Sequence, residues 1–222
     1  MAIPTAEYAD TVTTRTATYL DAVADCVLLL PQILAAYDDD PARREALTTR
    51  LADRESDCDD HLRSLRTDIA RATPNFTDVY LRADALVELY ACIDEIPNAA
   101  ETFVRDLDAV SPELDPQTLA TFTDVAALAA RATRLLVSTT RGYVQSLTTA
   151  GPSPHVSGTV DRIAGIESQC DDRRHAVTSR AFDDLAVADA LLVRDLSRSL
   201  DTVPDAVEDA ADHLRFCWSG DW

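Results

Sequence analysis

Glu55-Ser56-Asp57-Cys58-Asp59-Asp60 returns later in the chain as Glu167-Ser168-Gln169-Cys170-Asp171-Asp172, changed only at its third position. A second pair follows: Ile93-Asp94-Glu95-Ile96-Pro97-Asn98-Ala99-Ala100-Glu101 matches Leu200-Asp201-Thr202-Val203-Pro204-Asp205-Ala206-Val207-Glu208. The shared pattern is apolar-Asp-x-apolar-Pro-(Asn/Asp)-Ala-x-Glu. Two motifs recurring in the same order mean that the chain is two copies of one unit, and a repeat redefines the fold to be expected. The units run from about 1 to 110 and from about 112 to 222, within one domain covering residues 1–222.

Helical periodicity predicts three helices per unit. The first runs from about Thr5 to Asp38, kinked at Pro31, since a proline removes a backbone donor and clashes with the preceding turn. Asp38-Asp39-Asp40-Pro41 ends it and opens the second, about Pro41 to Ala72. Thr73-Pro74-Asn75 is a turn, and Asn75 or Thr77 can cap the third helix, which ends near Val110. Ser111 to Pro116, reading SPELDP, is the clearest linker. The second unit is predicted as helices to about Leu147, over about Val156 to Phe182, and over about Leu185 to Phe216, with TTAGPSPH as the break between the first two. Long helices with short connections pack as antiparallel bundles. The expected fold is all-α, with six long helices in two tandem three-helix bundles.

Composition narrows the function. Asp and Glu total 39 against 20 basic residues, a net charge of -19, and every basic residue is arginine. Such a balance reads as halophilic, because hydrated carboxylates keep a chain soluble where salt of ~1 M shortens the Debye length to ~3 Å. It argues against nucleic acid as partner, since phosphate binding needs clustered Lys and Arg. The 5 cysteines include no paired CxxC and fit a reduced cytoplasm. There is no unbroken apolar run of membrane-spanning length, no signal-like N-terminus, no P-loop and no Rossmann fingerprint.

The recurring acids carry the chemistry. Glu55 and Asp59 fall on the apolar stripe of the second helix, among Leu51, Cys58, Leu62 and Leu65. Glu167 and Asp171 do so beside Ile163, Ile166 and Cys170. On the third helix of each unit, Asp94, Asn98 and Glu101, and then Asp201, Asp205 and Glu208, form ridges at helical spacing, each with a mid-helix proline. Buried carboxylates cost several kcal/mol unless compensated. Too few arginines recur at these places, so metal ions are the simplest compensation. Hard oxygens with few imidazoles suit magnesium, calcium, manganese or iron better than a structural zinc. His61 and His175 are read as surface histidines, and no Glu-x-x-His occurs. Nothing provides a nucleophile motif, which leaves three function classes: a metal-holding regulator, a carboxylate-bridged metalloenzyme, and a structural helical adaptor. The core is expected from Leu62, Leu65, Ile69, Ile163, Val193 and Leu196, and removal of Asp201 and Asp205 is expected to leave the apo protein as stable or more stable.

These motifs resemble those of PhoU-like proteins, and most closely the branch encoded beside Pit-type phosphate transporters. The resemblance rests on Glu55…Asp59, Thr73-Pro74 and Ile93-Asp94…Asn98, then Glu167…Asp171 and Leu200-Asp201…Asp205. It implies paired three-helix bundles with multinuclear sites for iron, zinc, manganese or magnesium. It also implies a non-enzymatic, cytoplasmic role in regulating phosphate uptake, through peripheral contact with a Pit-type or other membrane transporter. A homo-oligomer is left open. The sequence departs from the family pattern at Asn98, where an acid is expected, so the second unit is expected to bind metal better than the first.

Overall fold

The computed structural model describes residues 5–70, 79, 82–148 and 154–219. Among them every element is a helix: α1 (Thr5–Val27), α2 (Leu30–Ala35), α3 (Pro41–Ile69), α4 (Ala83–Val110), α5 (Pro116–Thr148), α6 (Val156–Asp184) and α7 (Val187–Ser219). Six are long. The short α2 continues the first rod after a break at Leu28 and Leu29. Pro31 sits in the first turn of α2, where its missing N–H costs nothing. The proline therefore divides the predicted first helix in two and does not merely kink it.

Local chemistry sets the other boundaries. Asp40 caps α3, its carboxylate accepting from the Arg43 N–H at 3.0 Å, with Pro41 in the first turn. Asp115 caps α5: its Oδ1 accepts from the Gln117 and Thr118 N–H groups, each at 3.0 Å, ahead of Pro116. At the end of α4, Ser111 adopts a left-handed conformation (φ 41°) and its N–H closes the helix on the Leu107 carbonyl. The expected caps Asn75 and Thr77, the Thr73-Pro74 turn and most of the TTAGPSPH break lie outside the described residues. Pro97 and Pro204 are both buried inside helices that continue through them.

Helices α1, α3 and α4 pack on one another to form one bundle, and α5, α6 and α7 form the second. The halves meet along α4 with α7 and α1 with α5. Phe103 and Phe122 stack edge-to-face across the α4–α5 contact, and Arg141 on α5 pairs with Asp21 on α1 at 2.6 Å. Leu62, Leu65, Ile69, Ile163, Val193 and Leu196 are all buried, as are Cys58 and Cys170. The stretch Glu7–Ala35 is apolar and long enough to cross a membrane by length and composition, although its unbroken apolar runs, such as Cys26 to Leu30, are short. Of its most apolar window, 56% is buried inside the bundle, where Val12, Tyr19, Leu20 and Val23 line the core.

Candidate metal centre

Helix α3 brings Glu55 and Asp59 to the edge of its packed face, and α4 brings Asp94, Asn98 and Glu101 to the facing edge. Glu55, Asp94, Asn98 and Glu101 are half-buried. Asp59 is exposed, so it sits on the rim of the apolar stripe and not within it. Burial raises the Glu55 carboxyl above its ordinary range, and the charges of Glu101, Asp59 and Asp94 raise it further, against the pull of Arg105. Asp94 is raised chiefly by burial and next by Asp59, while the Tyr19 hydroxyl and Arg66 act the other way. These carboxylates therefore share one electrostatic neighbourhood.

Tyr19 is a contributor the sequence pattern did not disclose. It is fully buried on α1, and its hydroxyl donates to Asp94 Oδ1 and to the Tyr90 carbonyl, both at 3.3 Å. Its ring stands edge-on to Tyr90, whose own hydroxyl bonds Thr16 at 2.7 Å. The available signal was Thr16 and Tyr19 placing polar atoms on an otherwise apolar helix face. Among the described residues, no arginine forms an ion pair with Glu55, Asp59 or Asp94; Glu101 pairs at 2.8 Å with the exposed Arg105. Asp59 and Asp94 open on a cleft of about 750 Å³ shared with Arg63, Arg66 and Thr67.

The second ridge is built differently. Glu167 and Asp171 on α6 face Asp201, Asp205 and Glu208 on α7, but Arg174 lies between the helices. Its Nη2 donates to Asp171 Oδ1 at 2.5 Å and its Nε approaches Asp201 Oδ2 at 2.5 Å. The hydrogen bond from Arg174 holds the Asp171 carboxyl below its ordinary value. Asp201, only 6% exposed, is pushed up to about 6 by burial first and Asp205 second, which together outweigh the attraction of Arg174. Asp205 and Glu208 are raised by desolvation and then chiefly by Glu167. The expectation that arginine does not compensate these acids is thus corrected for the second ridge: Arg174 does so. A search for arginines present in both copies overlooks one present in a single copy.

Among the described residues, neither His61 nor His175 hydrogen-bonds a ridge carboxylate. His175 is exposed, with Nδ1 2.8 Å from the Asp171 carbonyl oxygen, and His61 is half-exposed. Among the described residues, no group of three or more His, Cys, Asp and Glu side chains is drawn together closely enough to hold a metal ion. The donor chemistry still separates the ridges. The first gathers hard oxygens that repel one another and make no direct ion pair at Glu55, Asp59 or Asp94 among the described residues, with Arg66 and Arg105 acting on them only from nearby; oxygen donors of this kind are the type that divalent ions take. The second already contains a cation and does not fit one while Arg174 remains in place.

The whole architecture is that of PhoU-like proteins. A PhoU-like protein of Shewanella oneidensis MR-1 superposes with a TM-score of 0.76 at 17% identity, over 92% of this chain and 97% of that one. A putative PhoU-like phosphate regulatory protein of the same organism does so with a TM-score of 0.73 at 16% identity, over 94% and 99%. At these identities the likeness concerns the fold. No protein-family model and no curated protein matches the chain.

Proposed function

We propose that this chain is a non-enzymatic regulatory or accessory protein of phosphate transport that works in the cytoplasm. It acts through metal held on its first carboxylate ridge and through peripheral contact with a Pit-type phosphate transporter or another membrane transporter. The observation that carries the reading is the first ridge, in which carboxylates from α3 and α4 raise one another and, among the described residues, Glu55, Asp59 and Asp94 make no ion pair. The PhoU-like fold supports it. Glu55, Asp59, Asp94, Asn98 and Glu101 would hold iron, zinc, manganese or magnesium; Glu167, Asp171, Asp201, Asp205 and Glu208 form the corresponding ridge of the second half.

When bound, a divalent ion supplies positive charge and open coordination positions for a phosphate or for a partner's acids. The chain's own residues do the positioning. Tyr19 orients Asp94 from below, Arg105 holds Glu101 toward the rim, and α3 and α4 keep the two acid rows facing because Leu51, Leu62, Ile93 and Ile96 lock the helices together.

The test is a pull-down from membranes that contain the transporter, in molar KCl, with and without chelator, alongside elemental analysis of protein purified without chelator. Metal in the purified protein and chelator-sensitive association are expected. Association unchanged after complete metal removal would move the partner surface elsewhere, and a protein that holds no metal would leave the ridges as solvated helix surface.

A further inference from the structure

We propose that Arg174 is a resident cation that takes the place of a metal in the second ridge, so that the two halves of the molecule differ in kind. Register makes the comparison. Arg174 follows Glu167 by the same interval as Leu62 follows Glu55. Leu62 is 2% exposed and belongs to the core, so the first half has nothing at this place that could reach the carboxylates. In the second half the same place carries a guanidinium, and it bridges the helix pair at the level of the acid motifs: Nη2 to Asp171 on α6 and Nε to Asp201 on α7, each at 2.5 Å. A divalent ion shared by these helices would need the same oxygens.

Arginine suits the role. Its guanidinium keeps its charge at any pH the protein meets and presents donors in a fixed planar fork that two carboxylates can share. The side chain is only 25% exposed and that of Asp201 9%, so the pair is screened little by solvent. A metal entering here would have to expel a like charge and leave Arg174 half-buried without its partners, which is unfavourable. In the first half Asp94 instead receives a neutral hydroxyl from Tyr19, and Arg66 acts on it across the cleft without a direct ion pair. The α6–α7 pair thus carries a fixed counter-charge that bridges its two helices, and among the described residues no arginine bridges the α3–α4 pair at Glu55, Asp59 or Asp94 in the same way. Any response to metal is confined to the first half.

This rests on the reading of the ridges as metal-binding, and the experiment separates the two. Mn2+ binding is counted by titration calorimetry and by electron paramagnetic resonance on the full chain. Arg174→Leu, which installs the first half's residue, is expected to take up an additional Mn2+ per chain, and Asp205→Asn in that background to abolish the gain. Arg174→Lys, which keeps the charge, is expected to stay at the wild-type count. Helical circular dichroism checks folding, and Arg174→Gln serves if the leucine variant fails to fold. No additional Mn2+ in either folded variant overturns the proposal, as does Mn2+ lost from the otherwise wild-type protein on Asp205→Asn. The functional reading is judged separately: Mn2+ binding of the wild type is expected to fall with Glu55→Gln/Asp94→Asn, and if it does not, that reading falls while the effect of removing Arg174 still decides this one.

Discussion

At the scale of single residues, Asp115 shows how much one side chain in a linker settles. Its carboxylate closes the N-terminus of α5, accepts the Thr118 hydroxyl and pairs with Arg180 of α6 at 3.1 Å. Desolvation acts to raise its pKa, but the Thr118 and Arg180 hydrogen bonds outweigh it and hold the carboxyl below its ordinary value. A lowered carboxylate stabilises the fold above its unfolded pKa, and the contribution is lost as pH falls through the folded one. Asp115→Ala is therefore expected to cost about 1 kcal/mol at neutral pH, as loss of a helix cap does. The gap to wild type should narrow as pH is lowered below ~4. Thermal melts of both proteins over a pH series check it; a gap independent of pH would mean that the side chain acts by shape alone. In the sequence this residue reads as part of a linker, because the SPELDP punctuation is visible and the partner Arg180 is not.

At the scale of elements, the two hairpins make different predictions about losing their acids. In α3–α4, Glu55→Gln/Asp94→Asn removes charges that repel each other, so the apo protein is expected to hold or gain stability. In α6–α7, Arg174 holds the Asp171 carboxyl below its ordinary value, so Asp171→Ala is expected to cost up to about 1 kcal/mol. At Asp201 burial and Asp205 outweigh Arg174, so Asp201→Ala/Asp205→Ala is still expected to leave the apo fold as stable or more stable. Denaturant unfolding of these variants, in chelator, tests the contrast; an Asp171→Ala protein as stable as wild type would mean that Arg174 is not its counter-ion. Boundaries of these elements were legible wherever a cap or proline marks them, as at Pro41 and Pro116. The break before α2 was legible as a proline but not as a division, because whether a helix bends or restarts at proline depends on what the flanking turns pack against.

At the scale of the whole molecule, net charge dominates. With -19 charges on 222 residues, self-repulsion extends over ~30 Å at 0.01 M salt and only ~3 Å at 1 M. The thermal midpoint is expected to rise by several degrees between dilute buffer and molar KCl. Scanning calorimetry in both would show it, and a midpoint indifferent to salt would remove the halophilic reading. The same charge, carried mostly on exposed positions, leaves the seam between the bundles to apolar contacts with a few polar links. Among these are the Ser199 hydroxyl donating to Asp106 at 2.6 Å and Thr13 bonded to Thr148 at 3.0 Å.

By itself the sequence determined the helices, their pairing into two units and the list of acids on their inner edges. These follow from spacing along the chain, and a helix turns spacing into a face without outside help. Only the tertiary structure decided which acids are buried and which cation meets them. Asp59 and Asp205 lie on the rim while Asp201 lies within. Tyr19 reaches Asp94 from α1, and Arg174 crosses from α6 to α7. Those contacts join residues on separate helices, where the angle and offset between packed helices set the distance, and no periodicity along one strand of sequence encodes that offset.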